Sequence, residues 1–115
     1  MSIINIQGGI PVASAVVDAT TVPGSVSFDS NSGQFTDAGL SRVSQGIYRL
    51  TLGQEIATTK MAVQVCVKAK NNTTKSNGAG NYIIVDTMTI EVITNDQGGY
   101  GTMDCDFSIC VWQIV

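Results

Sequence analysis

The chain has 115 residues, 43% of them hydrophobic and 13% charged, with six basic against nine acidic residues and a net charge of −3. That length suits one domain of about 100–150 residues, the apolar content excludes a disordered polymer, and no apolar run approaches the ~20 residues of a membrane-spanning helix. Val and Ile number 25 against three Leu and two Glu, and side chains branched at Cβ fit a pleated sheet better than a helix, so the expectation is an all-β domain.

In chain order, residues 1–25 read as an N-terminal attachment arm or a first strand, and residues 26–115 as a β-sandwich domain. The start, Met1-Ser2-Ile3-Ile4-Asn5, lacks the basic region and continuous apolar stretch of a secretory signal. Residues 12–17 form a short apolar run bracketed by Pro11 and Pro23, both of which favour extended or turn geometry. Residues 24–28 alternate as a strand would. Residues 29–33, rich in Asp, Ser, Asn and Gly, predict a turn.

Residues 40–44 and 46–52 form a predicted hairpin closed at Gln45-Gly46. Tyr48, Leu50 and Leu52 share one face of its second strand, and Arg49 and Thr51 take the other. Residues 61–69 repeat this pattern, with Met61, Val63, Val65, Val67 and Ala69 inward and Ala62, Gln64, Cys66 and Lys68 outward. A long polar loop is expected over 70–80. Two strands follow, Tyr82 to Val85 and Met88 to Ile93, then a second glycine-rich loop from Asn95 to Thr102. The last strand runs from about Asp104 to Val115, with Phe107, Ile109 and Val111 on one face and Trp112 and Ile114 on the other. Six to eight short antiparallel strands with frequent turns predict a single β-sandwich, jelly-roll-like in character, with an extended N-terminal arm.

The chain contains no histidine, the commonest general base and metal ligand. A Ser-His-Asp triad and a Cys-His pair are therefore impossible, and no catalytic residue, cofactor or metal is expected. Cys66, Cys105 and Cys110 match neither zinc spacing nor a redox pair. They read as buried free thiols within strands. Asp104 and Asp106, two residues apart on a strand, would share a face. They read either as a polar strand start hydrogen-bonded to a turn or as a cation site.

Gly98-Gly99-Tyr100-Gly101 lacks the following helix of a phosphate cradle and reads as a connection, with Tyr100 a candidate contact at its tip. Asn71-Asn72-Thr73 matches a glycosylation triplet and, with no secretion signal, signifies a polar loop. The thin spread of Lys and Arg argues against nucleic-acid binding. A charged fraction about half the usual ~25% suggests that much of the surface is covered in an assembly, or else that neutral polar residues keep it soluble.

From about Leu40 onward the chain resembles the small β-structured modules of tailed-bacteriophage virions, found in capsid decoration proteins and at the tips of head and tail fibres. The resemblance lies in Ser41-Arg42-Val43-Ser44-Gln45-Gly46-Ile47-Tyr48-Arg49-Leu50-Thr51-Leu52 and in Asp104-Cys105-Asp106-Phe107-Ser108-Ile109-Cys110-Val111. It implies a non-enzymatic virion structural protein, commonly a homotrimer, assembled in the host cytoplasm. The chain lacks the repetitive shaft of long fibres, which favours capsid decoration, bound to the major capsid protein or another virion protein. The alternative is a tail-fibre or spike tip that binds a host receptor or surface glycan. The candidate interface residues are Ile3, Ile4, Ile6 and Ile10 in the arm and Trp112 and Ile114 on the closing strand. Neither nucleic acid nor membrane is an expected partner.

Overall fold

The computed structural model describes residues 9–68, 79–95 and 102–115. Eight strands succeed one another: β1 Gly9–Asp18, β2 Ser27–Asn31, β3 Ser41–Ser44, β4 Ile47–Thr51, β5 Met61–Val67, β6 Ala79–Ile84, β7 Thr89–Asn95 and β8 Phe107–Ile114. Single turns of 3-10 helix stand at Asp37–Gly39 and Thr58–Lys60. The strands form two four-stranded sheets, ordered β2-β1-β8-β5 and β3-β4-β7-β6, and every pairing is antiparallel. The sheets pack face to face as a small β-sandwich, the architecture that the composition and alternation predict.

The core is what the period-two pattern dictates. Tyr48, Leu50 and Leu52 are fully buried and meet Ile90 and Val92 from the neighbouring strand. Facing them from the other sheet are Ala13, Ala15 and Val17 of β1 and Phe107, Ile109 and Val111 of β8. The Tyr48 and Phe107 rings join the two layers, their centroids 5.4 Å apart and tilted by 38°. Met61 is buried, and Val63, Val65 and Val67 pack against the same core at the edge of their sheet.

The predicted hairpin forms as β3 and β4, and Gly46 at its turn has φ +74. A Cβ at Gly46 would lie 2.6 Å from the Met103 nitrogen and 2.7 Å from the Thr94 oxygen, so the turn needs glycine both for its dihedral and for the close approach. The approach is held by Thr94 N–H donating to the Gly46 carbonyl at 2.8 Å and Met103 N–H donating to the Thr94 carbonyl at 3.0 Å.

Several boundaries differ from expectation: β6 begins at Ala79, inside the loop expected over 70–80 and ahead of Tyr82, and β8 begins at Phe107 instead of Asp104. The strand predicted at 24–28 begins at Ser27, and it continues through Asp29, Ser30 and Asn31, which read as a turn. Pairing of Ser30 with Val16 and Asn31 with Ala15 holds these turn-prone residues extended, across a bulge at Val16/Val17; ladder hydrogen bonds override local preference here. The turn follows at Gly33, φ +96, where Asn31 Oδ1 accepts from Gly33 N–H at 3.1 Å and Asn31 Nδ2 donates to the Phe35 carbonyl at 2.8 Å.

The segment read as arm or first strand is an interior strand over residues 9–18, paired with β8 along its length and with β2 from Ala15 to Asp18. Pro11 lies in the half of β1 that β2 does not reach, where a missing N–H is tolerated. Residues 1–8, 69–78 and 96–101 lie outside the described residues, and with them most of the loops expected over 70–80 and from Asn95 to Thr102.

Candidate interaction surface

The carboxylates at the start of the closing segment do not form one face. Asp104 Oδ1 accepts from Gly46 N–H at 2.8 Å, from the Tyr48 hydroxyl at 2.5 Å and from Arg42 Nε at 3.2 Å. Its Oδ2 takes Arg42 Nη2 at 2.9 Å. Asp106 Oδ1 instead accepts from Ala19 N–H at 2.8 Å and from the Thr20 hydroxyl at 2.9 Å. Each aspartate thus serves a different turn, and both precede β8 instead of starting it. Among the described residues no group of three or more Cys, Asp and Glu side chains is arranged to hold a metal ion.

These contacts set the charges. Partial burial pushes the Asp104 carboxyl up, but hydrogen bonds from Arg42, Tyr48 and Gly46 outweigh it and hold the group below its ordinary value. Burial, then the adjacent carboxylate, pushes the Tyr48 phenol well above its usual value of 10.0. Asp18 is lowered to about 2 by the side chain and N–H of Thr21 and by the N–H of Thr20. The arrangement fixes two charges and a buried hydroxyl in place; it joins the β3–β4 hairpin of one sheet to the segment that enters β8 of the other.

The second notable region is the outer face of the β2-β1-β8-β5 sheet. Strand alternation puts Ser108, Cys110, Trp112 and Ile114 of β8 on it, since Phe107, Ile109 and Val111 turn inward. Across β8, Trp112 stands between Pro11 and Ala62, Cys110 between Ser14 and Gln64, and Ser108 between Val16 and Cys66. None of these residues is charged. Charged residues border it: Asp29 lies in β2, Asp18, Asp106 and Lys68 stand at one end of the sheet, and Lys60 precedes Met61 at the other. The opposite outer face of the sandwich differs: there Arg49 and Glu91 pair at 3.0 Å.

Beside Trp112 the bulge in β1 between Pro11 and Ala13 opens a groove of about 470 Å³, lined by Pro11, Ser14, Ser32, Gln34, Cys110 and Trp112 among others. Val16 and Ile114 are each 38% exposed on this face. Comparison with family models, curated proteins and solved structures gives no match for this chain.

The predicted contact residues divide. Trp112 and Ile114 share the neutral face, with Trp112 partly buried. Ile10 is exposed but pairs with Gln113, so its side chain belongs to the opposite side of the sheet from Trp112. Ile3, Ile4, Ile6 and Tyr100 lie outside the described residues.

The thiols need a correction: Cys105 is buried but precedes β8 instead of lying within a strand, Cys110 is half-buried and Cys66 is exposed. Cys66 occupies the outward position of β5, and as an edge strand β5 has no second neighbour in its sheet to cover it. The Cys105 thiol reaches toward the Asn95 carbonyl at 3.9 Å. Sequence reasoning missed the neutral face as a unit. Its signal is the missing charge at alternate positions of β1, β5 and β8.

Proposed function

We propose that this chain is a non-enzymatic structural protein of a tailed-phage virion, a β-sandwich that decorates the capsid. The observation that carries the reading is that the two segments resembling virion modules meet in space. Arg42, Gly46 and Tyr48 of the first all donate to Asp104 of the second. The two stretches therefore behave as one unit of the fold, which is what a shared module requires of separated motifs. Residues 1–10, uncharged and containing four isoleucines, are the proposed attachment segment. Burying an isoleucine contributes about 1.5–3 kcal/mol, so Ile3, Ile4 and Ile6, which precede β1, can support docking even after the cost of ordering.

Co-sedimentation with empty capsids of the cognate phage tests this reading. The full chain should pellet with capsids, and a variant lacking residues 1–10 should not, while keeping the far-UV circular dichroism of a folded sheet protein. Binding to host cell-wall glycan without capsid binding would overturn decoration in favour of the receptor-tip alternative.

A further inference from the structure

We propose that Cys66 and Cys110 form a two-thiol site for a soft monovalent metal ion, of the Cu(I) class, on the outer face of the β2-β1-β8-β5 sheet, independently of the virion reading.

The register makes the pair. Across the β5–β8 ladder Gln64 faces Cys110 and Cys66 faces Ser108. The two cysteines therefore occupy diagonal positions on one face of adjacent strands. Both are free thiols, Cys66 exposed and Cys110 half-buried. Because β5 is an edge strand, the pair is open to solvent from its side. Cys105, buried and ahead of β8, takes no part.

Spacing decides the chemistry. Diagonal neighbours on an antiparallel pair lie about 7–8 Å apart, their Cβ atoms somewhat closer. A disulfide needs Cα atoms about 4.4–6.8 Å apart, so these positions are too distant for a direct S–S bond. An ion held about 2.3 Å from each thiolate sulfur spans the remaining gap once the two side chains lean toward each other.

The surroundings select the ion. Thiolates favour soft ions such as Cu(I) and also zinc, but a structural zinc site takes four ligands. Among the described residues no third Cys, Asp or Glu joins the pair to hold a metal. The groups opposite the two thiols, Gln64 and Ser108, are neutral. Asp106, the next carboxylate along β8, is engaged by the Ala19 N–H and the Thr20 hydroxyl. Hard ions such as Ca²⁺ need six to eight oxygen ligands, which this pair lacks. A linear Cu(I) centre needs only two sulfurs. On binding, each thiol releases its proton to solvent and forms one S–Cu bond; copper stays Cu(I), and no electron is transferred.

Anaerobic titration of the full chain with Cu(I), in competition with the chelator bicinchoninate, tests the proposal. One Cu(I) per chain is expected. Its binding should quench the fluorescence of Trp112, the single tryptophan, which shares the face of Cys110 two residues along β8. Cys66→Ser and, separately, Cys110→Ser should each weaken Cu(I) binding at least tenfold with unchanged far-UV circular dichroism. Cys66 lies exposed on an edge strand, so its variant guards against simple unfolding of the other. Cys105→Ala should retain one Cu(I), and equimolar Zn²⁺ should not displace it. Bound Cu(I) should also slow alkylation of Cys66 at least tenfold.

A wild type that yields all its copper to bicinchoninate overturns the proposal. So does binding that survives both Cys66→Ser and Cys110→Ser, or that only Cys105→Ala abolishes. Displacement by Zn²⁺ would overturn the choice of ion, and a Cys66–Cys110 disulfide formed in air by the folded chain would overturn the spacing on which the site rests.

Discussion

Replacing Asp104 by Ala isolates the strongest polar tie in the sandwich. The substitution removes the acceptor for the Tyr48 hydroxyl and the Gly46 N–H. Both groups are buried, and a buried group left without a partner costs about 1–3 kcal/mol. Arg42 retains a side-chain exposure of 26%, so its guanidinium can turn to water and adds little.

The expected loss is therefore about 3–5 kcal/mol, a large part of the ~5–15 kcal/mol that stabilises a small domain. It should lower the melting temperature by roughly 10–20 °C. Tyr48→Phe alone, which leaves Asp104 its other donors, should cost about 1.5–3 kcal/mol. Urea denaturation followed by Trp112 fluorescence and far-UV circular dichroism measures both, and the double variant should cost less than the sum of the singles by at least ~1 kcal/mol, because the two groups share one bond. A loss below about 1 kcal/mol for Asp104→Ala, or full additivity, refutes the argument that this carboxylate joins the layers.

Other outcomes follow from the same geometry. Asp104, Asp18 and Asp86 all have folded-state pKa values below the ordinary 3.8, that of Asp18 at about 2, so their stabilisation is present above 3.8 and is lost as pH falls through each lowered value; acid titration of Asp104→Asn should show a shallower decline than the wild type. Tyr48 has a raised value, so its contribution is full below pH 10 and lost as pH rises further, and ultraviolet titration should find one of the three tyrosines ionising only on alkaline unfolding. Gly46→Ala should cost at least ~3 kcal/mol by chemical denaturation, since it meets backbone at 2.6 Å, whereas Gly24→Ala, at φ +78 in open space, should cost only the ~1–2 kcal/mol of a left-handed backbone. In the folded chain, thiol labelling should reach Cys66 before Cys105, and Cys105 only on unfolding; rapid native labelling of Cys105 would contradict its burial.

What the sequence made legible was set by local periodicity. Tyr48, Leu50 and Leu52 at alternate positions forecast a buried face, and Met61, Val63, Val65 and Val67 did the same for an edge strand, because the pleat alone decides which way a side chain points. The end of β2 was not legible: Asp29, Ser30 and Asn31 carry turn chemistry, and only pairing with β1 holds them extended. The role of Asp104 was hidden for a different reason. Its donors Arg42, Gly46 and Tyr48 lie 56–62 residues away in sequence, and no local pattern records which turn a distant carboxylate will meet. The shared face of Trp112 and Ile114 followed from alternation along β8, while Ile10, grouped with them by hydrophobicity, falls on the other side because the β1–β8 register pairs it with Gln113.

The central place of β8 in its sheet bears on how the chain reaches its native state. β2 reaches only Ala15 to Asp18 of β1, so β1 depends on β8 for the rest of its pairing, and among the described residues β5 pairs only with β8. Val17 must find Phe107, 90 residues later. During synthesis, therefore, β1 and β5 emerge long before the strand that unites them, and half of the sandwich has no scaffold until β8 arrives. Pairings this distant make folding slow, on a scale of milliseconds to seconds, and leave the apolar strands Gly9–Asp18 and Met61–Val67 open to wrong partners in the interval. A chain truncated before Phe107 should accordingly go to inclusion bodies in place of a smaller folded domain, and conditions that slow encounters between nascent chains should raise the yield of the full-length protein.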